Sequence, residues 1–436
     1  MTASTTPHPH LTHLIQEFEF PLDGAVAVMD AFHRRMEAGL SGQTSSLRML
    51  PSFLSRPRGT ETGRYLALDL GGTNFRVLEV SLDGAGRADI VAASRFVVPE
   101  EVMRGPGRGL FDFLAECVAE FFGRHPGGRP DEQTLAFTFS FPVEQHSVSS
   151  GTLIAWTKGF TATDVAGRDV VALLSQALNR RGLAHIRVAA LVNDTVGTLL
   201  AGAYAHPACD MGVILGTGTN ACYPEARKRI ATLLSVGQDG EMIVNMEWGN
   251  FDGLPGNRFD AMVDDASPNP GRQRMEKMVS AMYLGELGRL AVLDLARAGV
   301  LESGIQGVLD CPFSLSSKDL ALLAQGGGPG SDRFGPLAES DRQALALTGR
   351  LILDRSARIA ALAVASVLTW MDPALASAHV VAVDGALFEH NPSYRAEMVR
   401  TLGLVCGKGA ENIDLVLVKD GSGLGSAIAG AVAVTA

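Results

Sequence analysis

The stretch Tyr65-Leu-Ala-Leu-Asp-Leu70, Gly71-Gly-Thr-Asn74, Phe75-Arg-Val-Leu-Glu-Val80 decides the reading of this chain. Two apolar runs of strand length flank four residues made of Gly, Thr and Asn. The segment therefore predicts a strand, a tight turn and a returning strand, a β-hairpin. The pattern recurs: Met211-Gly-Val-Ile-Leu215 runs into Gly216-Thr-Gly-Thr-Asn220, and both turns end on Gly-Thr-Asn, at Gly72–Asn74 and Gly218–Asn220. Such turns expose backbone N–H groups and hydroxyls that no large side chain covers, a nest suited to phosphate oxygens. A plain hairpin uses the same glycines for backbone reasons alone. Neither turn is a P-loop, since no GxxxxGK[ST] occurs and each runs on into a strand. Two matching turns in two halves suit a pair of similar lobes closing on one ligand.

Outward from the hairpin, Leu135–Phe141 and Ile186–Val192 read as strands and Gly109–Phe122 and Gly167–Arg181 as helices. Arg180, Arg181 and Gly182 close the second helix in the usual order. Strands mixed with helical crossovers make an α/β protein. Pro21–Leu40 reads as an amphipathic helix through Val26, Met29, Ala31, Phe32 and Met36. The Thr/Pro-rich start, with His8, His10 and His13, reads as a frayed terminus, and no metal site is expected. Residues 290–380 show helical periodicity around Leu351–Leu368 and a Gly-rich loop, Gly326–Gly330, with no readable chemistry. Asp420-Gly-Ser-Gly-Leu-Gly425 follows a strand and opens a helix, like a dinucleotide fingerprint. That motif needs a further strand and an acidic residue about 20 positions on, so the cluster is read as close helix–strand packing at a hinge. Asn193-Asp194-Thr195 sits between the strand Ile186–Val192 and a helix, at the edge that faces the ligand crevice in open α/β sheets. An aspartate there can accept a proton from a substrate hydroxyl; all three residue types also serve as helix N-caps.

The chain has 436 residues, two or three domains' worth, and a net charge of −10 with no basic stripe, which argues against a nucleic-acid partner. Five scattered cysteines form no zinc or redox pair and suit a reducing compartment. The longest largely apolar run, Ile359 to Met371, is shorter than the ~20 residues that span a bilayer, and no leader pattern opens the chain. A cytoplasmic protein without membrane partners is expected.

Further motifs carry a family resemblance. Met49-Leu-Pro-Ser-Phe53, Gly63 to Val77, Phe137-Thr-Phe-Ser-Phe-Pro142, Trp156-Thr-Lys-Gly-Phe160 and Leu191 to Thr198 resemble the hexokinase family. So do Gly216–Asn220, Glu247-Trp-Gly249, Met275-Glu-Lys-Met278, Tyr283-Leu-Gly-Glu286, Val383-Asp-Gly385 and Gly421-Ser-Gly-Leu-Gly425, all in family order. The resemblance implies a two-lobed actin-like ATPase (ribonuclease H-like) fold. It divides into an N-terminal segment 1–62 on the large domain, a small domain 63–193, a large domain 194–422, and a helix 423–436 returning to the small domain.

It implies an ATP-dependent hexokinase acting with Mg2+ on a hexose, glucose first, at the C6 hydroxyl, as a monomer or homodimer. A kinase preferring mannose or fructose and a non-catalytic hexose sensor are the alternatives. Asp194 takes the position of catalytic base, with Lys158 beside it. Ser140, Thr157, Lys158, Asn193, Asn220, Glu247 and Glu276 take the sugar positions. Asp69, Gly71, Gly72, Thr73, Asn74, Arg76, Gly216, Thr217, Gly218, Thr219, Asp384 and Gly385 take nucleotide positions.

The chemistry agrees: hexose hydroxyls both donate and accept, Asn reads both, and carboxylates accept strong charge-assisted bonds. Lys158 and Arg76 supply the cations an acidic protein needs beside a triphosphate. Two departures stand out. Ala386 replaces the Ser or Thr usual in the adenosine segment, and the basic run Arg227, Lys228, Arg229 is expected at the rim of the cleft.

Overall fold

The computed structural model describes residues 8–127, 132–233, 239–302, 309–326 and 337–435. Among them the first half runs α1 (Pro9–Phe18), α2 (Ala25–Leu40), β1 (Leu50–Pro51), β2 (Thr62–Leu70), β3 (Asn74–Asp83), β4 (Ala88–Val97), α3 (Glu100–Arg104) and α4 (Gly107–Arg124). It continues with β5 (Gln133–Phe139), β6 (Val143–Ser147), β7 (Ser150–Leu153), α5 (Val170–Arg180), β8 (Ile186–Val192) and α6 (Asp194–Ala205). The second half runs β9 (Cys209–Leu215), β10 (Thr219–Ala226), β11 (Glu241–Asn245), α7 (Arg258–Ala266), α8 (Arg274–Val279), α9 (Ala281–Arg297), α10 (Ser317–Ala324) and α11 (Glu339–Met371). It closes with β12 (His379–Asp384), α12 (Ala386–His390), α13 (Pro392–Cys406), β13 (Ile413–Leu417) and α14 (Gly421–Thr435).

The sequence echo is a structural duplication. One sheet has the order β4-β3-β2-β5-β8; the other has β11-β10-β9-β12-β13, with the short β1 added at its edge. Both orders are third, second, first, fourth, fifth by sequence. In each, an antiparallel hairpin is followed by parallel strands, with Leu70 opposite Phe75 in one turn and Leu215 opposite Thr219 in the other. Parallel strands require crossover helices, and α4, α5 and α9 to α11 lie in those crossovers. Both Gly-Thr-Asn turns therefore stand at the carboxyl ends of the first strands, where α/β sheets bind ligands.

Between the sheets lies a third core made largely of α6 and α14. It packs Ala67, Leu78, Ala136 and Ala190 of one sheet against Cys209, Cys222, Ile243 and Ala382 of the other. The two helices cross in backbone contact: a Cβ on Gly425 would lie 1.7 Å from the carbonyl oxygen of Gly197. The glycine cluster thus serves both kinds of packing: Gly423 lies on β3, where a Cβ would stand 2.4 Å from Leu78, as the helix–strand expectation has it, and Gly421 and Gly425 add a close crossing with α6. The α6 neighbour is invisible in the local pattern.

The start of the chain is also corrected. Residues 9–18 form a helix whose Leu14 and Phe18 are buried, with Phe18 stacked on Phe259 at 5.2 Å and Glu17 paired to Arg258 at 2.7 Å. Apolar docking on α7 outweighs the Thr/Pro composition. His10 and His13 pair with Asp294 and Glu17, and no group of three or more metal-ligating side chains is poised to hold an ion among the described residues.

In the region without readable chemistry, α11 carries Leu351–Leu368 as one long buried helix; Gly327–Gly330 lie outside the described residues. The basic run is not at the cleft rim. β10 carries it a whole strand away from Asn220, and Arg229 stacks on Trp370 at 4.1 Å and pairs with Glu37 at 3.1 Å. No described helix is long and apolar enough to cross a membrane.

Candidate active site

The strand β8 ends at Val192 and α6 begins, so the helix needs a cap. Asn193 provides it: its backbone is extended and its Oδ1 accepts from the Thr195 N–H at 2.9 Å. Asp194 is thereby the first helical residue. Its Oδ1 also accepts from Thr195 N–H at 2.9 Å, and the positive end of the helix favours its carboxylate. The capping role expected of this triplet falls to Asn193. Asp194 lines a cleft with Asp69, Gly71, Ser140, Ile214, Asp384, Gly385 and Ser422. Both lobes contribute to these walls.

On one side of Asp194 stand the sugar-position residues. Asn220, at the start of β10, donates to Asn245 Oδ1 at 2.8 Å, and Asn245 donates to Glu247 Oε1 at 2.9 Å. Glu247 follows β11 in a left-handed conformation, φ 55°, which is uncommon for a residue other than glycine and marks a constrained position. Trp248 behind it is fully buried and donates to Thr219 Oγ1 at 2.9 Å. Glu276 projects from α8 and accepts from Thr219 N–H at 3.1 Å. Its helix is anchored by the neighbouring Lys277, buried and paired with Asp264 at 2.5 Å and the Asn269 carbonyl at 2.9 Å.

Lys158 faces this set from the other lobe and donates to the Ser140 carbonyl at 2.8 Å. Its loop is pinned by Trp156, which stacks on Phe160 at 5.3 Å and donates to the Ala162 carbonyl at 2.8 Å. Thr157 and Lys158 remain exposed beyond that anchor.

Burial raises the pKa of Glu276 to about 7, aided by the negative charges of Glu247 and Asp194 and opposed by the Thr219 N–H and Lys158. Burial likewise raises Glu247, against the Asn245 hydrogen bond. Two half-buried carboxylates that no cation pairs directly need hydroxyl donors.

On the other side stand the nucleotide-position residues. Gly385 has φ 125°, and a Cβ there would lie 2.3 Å from the Leu215 carbonyl oxygen, so glycine alone lets the Asp384 turn meet the Gly216 turn. Asp384 accepts from Gly421 N–H at 3.2 Å, and burial lifts its pKa to about 6. Thr73 and Thr217 are exposed, and neither hydroxyl has a hydrogen-bond partner among the described residues. Gly72 and Asn74 lie on the same turn as Thr73, and Gly218 on that of Thr217.

Two residues depart from the expected role. Thr219 is buried and its hydroxyl donates to the Ile214 carbonyl at 3.0 Å, so it supports Glu276 and Trp248 instead of facing a phosphate. Arg76 is engaged by Asp69, by Asp420 at 2.5 Å and by Ser422 at 3.1 Å, tying β3 to the start of α14.

Sequence reasoning missed Asn245 and Ser422. The signal for Asn245 was its spacing of two from Glu247, which puts both on one face of an extended chain. Ser422 was absorbed into the hinge reading, yet it lines the cleft and donates to Asp69 at 3.1 Å.

The duplicated α/β unit, with paired glycine turns and a helix-start aspartate between two lobes, is the two-lobed ATPase-like fold that the sequence resemblance implies. Models of the hexokinase family match residues 10–204 and 210–432. The chain is 39% identical to Hexokinase-7 of Oryza sativa subsp. japonica, with 93% of this chain and 92% of that one covered. It is also 39% identical to human Hexokinase-3, covering 97% of this chain and 47% of the relative, so it spans about half the length of that protein. A solved hexokinase from Schistosoma mansoni complexed with glucose superposes with a TM-score of 0.85 at 33% identity, covering 97% and 98% of the two chains. The chain belongs to the hexokinase family.

Proposed function

We propose that this protein transfers the γ-phosphoryl group of ATP to the C6 hydroxyl of a hexose, glucose first among them. The observation that carries the reading is the place of Asp194, at the start of α6, where the cleft between the glycine turns meets the Asn220–Glu247–Glu276 set. Asn220, Glu247, Glu276 and Lys158 bind and orient the sugar so that one hydroxyl reaches Asp194. Asp194 accepts its proton as the oxygen attacks phosphorus. Positioning and charge neutralisation supply most of the catalysis in phosphoryl transfer.

Membership of the family implies ATP as donor and Mg2+ as its usual companion. The residues fit such an ion: Asp69 and Asp384 are hard oxygen donors on opposite walls of the cleft, and Mg2+ usually takes one or two carboxylates beside phosphates and water. When bound, it neutralises charge on the phosphates. Thr73, Thr217 and those backbone N–H groups of the two turns that are not already spent, as Gly216 and Thr219 are, would hold the phosphates, and Lys158 adds a cation. Coupled assays of ADP formation with glucose, mannose, fructose and 6-deoxyglucose test the reading. Turnover with one or more of the first three and none with 6-deoxyglucose is expected; hexose binding without ADP release would make the protein a sensor.

Two further results are expected. Thr217→Val and Thr73→Val each remove an exposed hydroxyl assigned to phosphate, a charge-assisted bond, so KM for ATP should rise by about tenfold with KM for hexose nearly constant. A larger change in hexose KM would overturn the assignment.

For Glu276, hydroxyl donors from a hexose stabilise the ionised form, so binding lowers its pKa and releases a proton when the pH is near the free value of about 7. Affinity for hexose should therefore fall as pH drops through 7, by several-fold between about pH 8 and about pH 6, and Glu276→Gln should flatten the profile. Calorimetry in two buffers of different ionisation enthalpy reads the released proton directly; a pH-independent wild-type affinity contradicts the assignment.

A further inference from the structure

The hydrogen bonds around Asn245 form a chain whose direction is set at both ends. At one end, Asn220 Oδ1 accepts from two backbone groups that can only donate, the N–H of Ala221 at 2.8 Å and of Trp248 at 3.3 Å. Its amide NH2 must therefore point the other way, to Asn245 Oδ1 at 2.8 Å. At the other end, the Glu247 carboxylate can only accept, and it takes the Asn245 NH2 on Oε1 at 2.9 Å. The Glu247 N–H, 3.4 Å from Asn245 Oδ1, agrees with the same orientation. Asn245 itself is 8% exposed, paired across its strand with Leu50 and Cys222, and cannot exchange its partners for water.

The consequence falls on the two residues that face the sugar. Asn220 has its oxygen filled and one NH2 hydrogen spent, which leaves one hydrogen to donate and nothing to accept with. Glu247 has one acceptor site of Oε1 taken and the rest of its carboxylate left to accept. We infer that Asn245 is a positioning residue: it bridges Asn220, whose remaining hydrogen can only donate, and Glu247, which can only accept, and so holds both on one and the same sugar hydroxyl.

A hydroxyl between them accepts from the first and donates to the second, and an analogue lacking it leaves two half-buried groups unpaired at once. Losing such a hydroxyl in a site built for it is costly because those protein groups stay desolvated. Around Glu247, the groups that set its ionisation are Asn245, the charges of Asp194, Arg48 and Lys158, and the neighbouring Glu276 carboxyl. Burial pushes the carboxyl up, and the Asn245 NH2 and the two cations hold it down.

The inference rests on the hexose reading above, which wild-type turnover tests separately in the same assay. The probes are glucose and its monodeoxy analogues at each hydroxyl other than C6, or the corresponding set of whichever hexose is turned over. In the wild type, one analogue should show a KM raised by about tenfold or more.

In Asn245→Val, KM for the parent hexose should rise about tenfold, while that analogue changes by less than about twofold, and KM for ATP stays constant. Asn245→Asp keeps the acceptor for Asn220, replaces the donor to Glu247 by a like charge and preserves shape. It should raise hexose KM and move the acid limb of the hexose KM profile to higher pH. Equal shifts for the parent and every analogue, or a parallel rise in ATP KM, would reduce Asn245 to a structural residue. If Asn245→Val does not fold, the Asp variant decides alone: an unmoved acid limb with unchanged hexose KM overturns the inference. A wild type that turns over no hexose would instead refute the reading on which it rests.

Discussion

Asp194→Asn should lower kcat by about 10²–10⁴, the span expected for loss of a general base, while hexose affinity stays within a few-fold. The substitution is well isolated. Capping of α6 belongs to Asn193, so the helix keeps its N-terminal hydrogen bond when Asp194 loses its charge. An amide also retains an oxygen for the Thr195 N–H, leaving the side chain in place. Removing the charge relieves both Glu247 and Glu276, whose carboxyls Asp194 helps to push up, so hexose binding should extend to slightly lower pH. Steady-state kinetics with direct titration of hexose separate these effects. A variant that keeps more than a tenth of wild-type kcat would remove Asp194 from the role of base.

Gly425→Ala should destabilise the protein by about 3 kcal/mol or more, because the added methyl cannot enter without parting α6 from α14. The new Cβ would stand 1.7 Å from Gly197 O, and both atoms belong to helix backbones that cannot rotate away. The same helix offers its own control. At Gly430 an added Cβ meets nothing closer than 3.6 Å, so Gly430→Ala should be neutral or stabilising by up to about 1 kcal/mol through helix propensity. Thermal and denaturant unfolding of the two variants compare them directly. Because α6 also carries Asp194, the parted helices should cost turnover in whatever fraction of Gly425→Ala remains folded. Equal stabilities would show that the crossing at Gly197 and Gly425 is looser than described.

The features legible in the sequence were those written into local pattern. Both hairpins, the strand Ile186–Val192 and the helix that follows it are set by apolar runs and glycine turns within a few residues, and they stand where that pattern puts them. The duplication of whole sheets was hinted at by two triplets only, because strand order depends on pairings between residues far apart in sequence. The same distance hid the docking of Phe18 on Phe259 and the neighbour that requires Gly425. In the site, the types and order of Asp194, Asn220, Glu247 and Glu276 could be read. What fixes them could not: Asn193 takes the cap, Thr219 turns inward to Trp248 and Glu276, and Asp420 and Ser422 return from the end of the chain to Arg76. Arg76 shows the limit well, since a cation beside a phosphate turn is indistinguishable in sequence from one holding two carboxylates together.

The claim on which the account turns is transfer of phosphorus to one oxygen of a hexose, and nuclear magnetic resonance of uniformly ¹³C-labelled glucose incubated with the protein, ATP and Mg2+ reads it directly. The account predicts that the C6 resonance shifts and splits by coupling to phosphorus, with one ADP formed per phosphorylated sugar. ADP formed without any phosphorus-coupled carbon, or coupling that reports another oxygen of the sugar, would contradict it.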